Sequence, residues 1–158
     1  MSTQIQSEYF TKALYMLLDE TFDNVQGLFL DKGTSMFETL ATISAAEASI
    51  PVGGKCATLA AQVKHTAFYL DVLEKNVRSG TFERVDWDEI WRTTKDVSPS
   101  EWEAIKIGLR ESYDRIKALI ADAPGWPSEN EVGGAIAAIV HTAYHLGEIR
   151  QALCTIKN

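Results

Sequence analysis

The chain predicts an all-α protein built as a four-helix bundle. Four stretches of ~20 residues repeat apolar side chains at helical spacing, no segment alternates like a strand, and glycine- or proline-rich breaks separate the four. The 158 residues suit one domain covering 1–158, which buries about two-thirds of its unfolded surface.

The first helix is expected over 7–28, where Phe10, Leu14, Leu17, Leu18, Phe22 and Val25 share a face, and Asp31-Lys32-Gly33-Thr34 closes it. A broken segment follows over 35–54. In it, 35–40 and 44–47 each read as a short helix or turn, and Ile50-Pro51-Val52-Gly53-Gly54 is a breaker. The second long helix is expected over 57–78 and ends at Ser79-Gly80. Lys64, Asp71, Glu74, Lys75 and Arg78 fall on its polar side, whereas His65 falls with Ala61, Phe68, Tyr69 and Val72 and therefore faces a core.

Residues 79–98 form a long connection with a short helix expected at 86–91. Ser98-Pro99-Ser100-Glu101 then combines a capping box with proline at the first helical position. The third helix carries Trp102, Ile105, Leu109, Ile116 and Leu119 to about residue 121, and Pro124-Gly125-Trp126-Pro127 stops it. The fourth starts near Asn130 and runs almost to the last residue. On a helical wheel its bulky residues Ile136, Ile139, Val140, Leu146 and Leu153 lie mostly opposite His141 and His145. The histidine side holds Gly134, Ala137, Ala138, Tyr144, Glu148 and Ala152, which describes either a solvent face or the floor of a tight cleft. The ~20-residue second connection is long enough to make helices two and three parallel, and the short third connection favours an antiparallel pair. An up-down-down-up order satisfies both, and an up-down-up-down order stays open.

A net charge of −7 with no basic cluster argues against nucleic acid and anionic membranes as partners. The opening Met1-Ser2-Thr3-Gln4-Ile5-Gln6-Ser7-Glu8 has neither the positive start nor the apolar run of a signal peptide, and no stretch approaches the ~20 apolar residues of a membrane span. A cytoplasmic protein is the expectation. In that setting Cys56 and Cys154, which form no CxxC pair, read as buried small hydrophobes rather than a disulfide.

The chemistry concentrates in three histidines. His141 and His145 stand at i and i+4 of one helix, which puts two imidazoles on one face in a spacing that grips a metal ion. His65 is the third, from another helix, and three such ligands leave coordination positions open for water or substrate. Neutral imidazole suits zinc, nickel, copper or iron. Glu148 shares the face of the pair and is a candidate fourth ligand, orienting group or general base. Tyr69 and Tyr144 are candidate pocket residues. The plainer readings are a hydrogen-bonded core His65, packing tyrosines and a surface Glu148.

His141-Thr142-Ala143-Tyr144-His145-Leu146-Gly147-Glu148-Ile149 resembles the last-helix pattern of the DinB-like superfamily, in which HxxxH is followed by Gly, Gln and an aliphatic residue. Gly53-Gly54 followed by His65 is similar to that superfamily's glycine-rich loop and second-helix histidine, and residues 40–51 resemble its leader into that helix. The resemblance spans nearly the whole chain, with Glu148 standing where glutamine is usual. It implies an up-down-down-up bundle, a His65/His141/His145 site for zinc or nickel, and a homodimer. It further implies relatives that are transferases and isomerases using a low-molecular-weight thiol on a small-molecule substrate, and the metal site itself equally suits a hydrolase that activates water. A non-catalytic metal-binding or stress-response module, and a structural dimerisation bundle, are the competing expectations.

Overall fold

Local capping chemistry sets the helix starts. Ser98 accepts a hydrogen bond from the Glu101 N–H, and the Glu101 carboxylate accepts from both the Ser98 N–H (2.8 Å) and its hydroxyl (2.7 Å). With Pro99 pre-set at the first helical position, helix formation begins at one defined residue. Ser44 and Glu47 repeat the same exchange, Thr58 accepts from the Ala61 N–H, and Ser128 accepts from the Glu131 N–H. Replacing Ser98 with alanine is expected to cost about 1 kcal/mol, lowering Tm by roughly 2–4 °C in a thermal melt.

The structure is a computed structural model that describes residues 5–54, 56–81, 83–123 and 125–157. The expectations for Met1-Ser2-Thr3-Gln4 and for Pro124 lie outside those residues. The described residues form an all-α protein: α1 Ser7–Phe22, α2 Met36–Leu40, α3 Ala45–Ala48, α4 Leu59–Ser79, α5 Glu89–Thr93, α6 Pro99–Ala121 and α7 Glu129–Ile156. None of these helices is long and apolar enough to cross a membrane.

Two sequence expectations fail locally. The first helix ends at Phe22 rather than 28, because the buried Glu20 carboxylate turns the chain back. Its two oxygens accept backbone N–H groups from Gln26, Leu28, Phe29 and Leu30 at 2.7–2.9 Å, giving these donors a partner outside any helix. Cys56 and Cys154 are both exposed rather than buried. Cys56 lies in the loop before α4, and Cys154 points outward from the last turns of α7.

The long helices pack α4 on α6 and α7, and α1 on the same two. Side-chain pairs give their directions. Asp71 and Glu74 of α4 meet Ser112 and Arg115 of α6 in ascending order, so this pair runs parallel. Asp19 of α1 and Asp23, which caps its C-terminus, meet Lys117 and Arg110 of α6 in descending order, so that pair runs antiparallel. His65 of α4 meets His145 of α7, whereas Leu73 lies against Gly134, so α4 and α7 are antiparallel. Leu18, Phe22, Leu70, Leu109, Tyr113, Leu146 and Ile149 fill the space between them, and the Trp102 indole N–H donates to the Ile43 carbonyl (2.8 Å), tying the start of α6 to the segment between α2 and α3.

The wheel left the histidine side of α7 open between solvent and cleft floor, and the structure buries part of each side. Ile136 and Val140 are exposed, at 42% and 60%, while Ala138, Thr142, His145 and Ala152 are buried. Ile139, Leu146 and Ile149 are buried with them, so the buried stripe combines bulky and small residues of α7. Small residues face inward where α4 comes close, and a Cβ at Gly134 would stand 3.3 Å from Leu73 Cδ1.

Candidate metal centre

Antiparallel packing of α4 on α7 assembles the three histidines. His65 comes from the second turn of α4, and His141 and His145 from successive turns of α7. Ring centroids are 5.2 Å apart for His65 and His141, 5.0 Å for His65 and His145, and 4.5 Å for His141 and His145. One ring nitrogen from each lies within 4.8 Å of the other two. Zinc–imidazole bonds of about 2.0–2.1 Å place two nitrogens on one ion no more than about 4.2 Å apart, which lies inside that limit.

Each ring is held by identifiable neighbours. His141 stacks on Tyr69 (centroids 3.7 Å, planes 17° apart), and Trp91 of α5 lies over His65 at 4.4 Å. His145 Nδ1 sits 2.6 Å from Gln62 Oε1 and 2.9 Å from Glu148 Oε2. Both neighbours are oxygen acceptors, so Nδ1 carries the proton and the Nε2 lone pair is left available. An imidazole N–H donated to a carboxylate is the usual arrangement behind a metal-bound histidine. Glu148 thereby touches the outer nitrogen of His145.

The other two rings carry buried nitrogens with nothing to bond. His65 Nδ1 and His141 Nε2 are solvent-inaccessible and lack a partner. Buried polar atoms are almost always satisfied, so a pair of orphaned imidazole nitrogens in one cluster fits a group that accepts their lone pairs. Protonation does not consume those lone pairs at neutral pH. Burial, reinforced by the neighbouring His145, pushes His65 and His141 down to about 4 against the pull of Glu148. Burial lowers His145 as well, although the Glu148 carboxylate opposes it. A nitrogen-rich donor set of neutral imidazoles suits zinc or nickel.

The remaining expected residues divide. Tyr69 is in contact through its stack on His141, and burial raises its pKa. Tyr144 is 61% exposed and lies beside His145 (5.1 Å between centroids) at the edge of the group. It lines a cleft of about 240 Å³ together with Ala57, Gln62, Trp91, His145 and Glu148. Sequence reading missed Gln62, Trp87 and Trp91 as site residues. Gln62 carried a signal, since it precedes His65 by three and shares its helix face. The two tryptophans carried only their spacing of four, because their place over α4 depends on how residues 80–98 cross the bundle.

Fold and site together define an all-α protein whose His65, His141 and His145 form a group able to hold a metal ion. No protein-family model matches the chain, and comparison with curated proteins and with solved structures gives no match.

Proposed function

We propose that the chain is a metal-dependent enzyme of the DinB-like type, an up-down-down-up four-helix bundle in which His65, His141 and His145 hold a zinc or nickel ion. The observation that carries this reading is the convergence of three neutral imidazoles, two with orphaned buried nitrogens and the third oriented by Glu148. The parallel α4–α6 pair and the antiparallel α1–α6 and α4–α7 pairs support the bundle order.

When bound, such an ion acidifies a coordinated thiol or water and polarises an electrophile. The chain's own residues do the rest. Gln62 and Glu148 fix the His145 tautomer, and Tyr69 and Trp91 hold the planes of His141 and His65. The 240 Å³ cleft beside His145 gives a small substrate its approach, with Tyr144 and the outer face of Glu148 at its mouth. A low-molecular-weight thiol as nucleophile makes the chain an S-transferase, and water makes it a hydrolase.

A cytoplasmic homodimer belongs to the same reading. Exposed cysteines suit a reducing compartment. Ile136, Val140 and Tyr144 form an exposed apolar row at i, i+4 and i+8 of α7, of the kind a second copy covers. The deciding experiment is metal content by mass spectrometry of untagged protein, for wild type and His145→Ala. About one ion per chain is expected in wild type and a small fraction of that in the variant. Equal metal in both, or none after loading with zinc and nickel, refutes the site.

A further inference from the structure

One turn beyond the histidines lies a second cavity, of about 180 Å³, between α4, α6 and α7. Leu73, Val77, Ile116, Ile120, Trp126 and Ala138 line it. It is separate from the histidine group. Tyr69 stands between His65 and Leu73 on α4, His141 stands between His145 and Ala138 on α7, and those two rings are stacked 3.7 Å apart. Protein interiors hold few voids larger than a water molecule, and an apolar cavity of about 150 Å³ is large enough to take up benzene.

The charged lining has one sign. Among the described residues, Asp122 and Glu131 are the ionisable residues on the cavity wall, and no Lys, Arg or His lines it. Of the nearby cations, Arg78 and Arg115 pair with Glu74 and Lys117 with Asp19, while Lys12 of α1 stands with Ala123 along a neighbouring groove. Two helices, α4 and α6, end at this side of the molecule, at Ser79 and Ala121, and direct their negative dipole ends toward it. Two helices start here, α7, which carries Glu129 and Glu131 in its first turn, and α1, which carries Glu8 in its first turn. Trp126 adds an aromatic wall, which attracts a cation as well as an apolar body.

We propose that this cavity binds a small organic cation, an aryl- or alkyl-ammonium of about eight heavy atoms, with its apolar body between Leu73, Ile120 and Ala138 and its ammonium group at Asp122 and Glu131. The site is independent of the metal reading.

The test compares benzylamine with benzyl alcohol and benzoate, which share its ring and differ in charge, by calorimetric titration of the full chain. Benzylamine is expected to bind about five- to tenfold more tightly than the alcohol, and benzoate more weakly than both. The Asp122→Asn, Glu131→Gln double variant is expected to erase the preference for the amine while leaving the alcohol unchanged. Ala135→Leu, which narrows the cavity, is expected to weaken all three. Because the double variant changes only side chains at the cavity's rim, it decides the matter even where Ala135→Leu fails to fold. The same titration on His145→Ala is expected to match wild type, which excludes amine binding at a metal. Equal affinity for the three probes, an amine preference that survives the double variant, loss of amine binding in His145→Ala, or no binding at about 10 mM probe overturns the proposal.

Discussion

His65→Ala is expected to lower affinity for a divalent ion by roughly 10²–10³-fold, although the residue lies 76 positions before His141 in the chain (141 minus 65). Apparent zinc-binding free energies of about 10–16 kcal/mol shared among three or four ligands give ~3–4 kcal/mol for each. His141→Ala and His145→Ala are expected to do the same. Glu148→Gln keeps an oxygen toward His145 Nδ1 but removes the charge, and a loss of ~10–100-fold is expected. Competition titration against a chromophoric chelator measures all four. If His65→Ala binds as tightly as wild type, the ion is held by α7 alone and the three-histidine reading is wrong.

The same site links stability to metal and to pH. Metal at 1,000 times its Kd stabilises the fold by about 4 kcal/mol, so loading is expected to raise Tm by roughly 8–16 °C in wild type and far less in the histidine variants. Without metal, His65 and His141 have folded pKa values of about 4, against 6.5 for an ordinary histidine. The unfolded chain therefore binds protons that the folded chain refuses. Their contribution to stability is complete above pH 6.5 and is lost as pH falls from 6.5 toward 4. Denaturant midpoints of the metal-free protein across that window check the sign, and a midpoint that rises on acidification contradicts it.

Glu20→Gln is expected to destabilise the fold although it changes a single atom of the side chain. Each carboxylate oxygen of Glu20 accepts two backbone N–H groups. Glutamine replaces one oxygen with an amide nitrogen that faces two donors. Two N–H groups of this partly buried turn then lack a protein partner, at the low end of about 1–3 kcal/mol each, and the charge assistance to the other two is lost. A cost of ~2–5 kcal/mol lowers Tm by roughly 4–20 °C. Burial alone would raise the Glu20 pKa, but the N–H groups of Phe29, Leu28, Leu30 and Gln26 outweigh it and hold the group at about 2 instead of 4.5. Glu20 therefore stabilises the fold above pH 4.5, and that stabilisation is lost as pH falls from 4.5 through 2. Wild type is expected to show this acid limb in its melting temperature, and Glu20→Gln to lack it. A variant that melts within a degree or two of wild type would falsify the role given to this carboxylate.

Glu20 also shows why the first helix was misjudged. Apolar spacing continues through Val25, and nothing local separates Glu20 from an ordinary acidic residue on a helix face. Its role depends on residues 26–30 folding back on it, which no window of helical periodicity contains. The starts of α6 and α3 were legible because a cap is a four-residue event: Ser98 with Glu101, and Ser44 with Glu47. The inward placement of His65 was legible for a similar reason, since one helix's own polar face points the other way.

The sequence by itself determined an all-α chain, the starts of its long helices, the His141 and His145 pair on one face of α7, and the inward face that carries His65 on α4. These depend on contacts within three to seven residues, where spacing and side-chain chemistry suffice. Tertiary structure alone decided that Gln62 and Glu148 bracket His145 and that Trp91 covers His65. It also decided that Ile136 and Val140 face outward while smaller residues of α7 face in, and that a cavity opens beneath Tyr69 and His141. Each of these depends on the separation of two helices. That separation is set by the summed packing of side chains distant in the chain, so it has no local signature in the sequence.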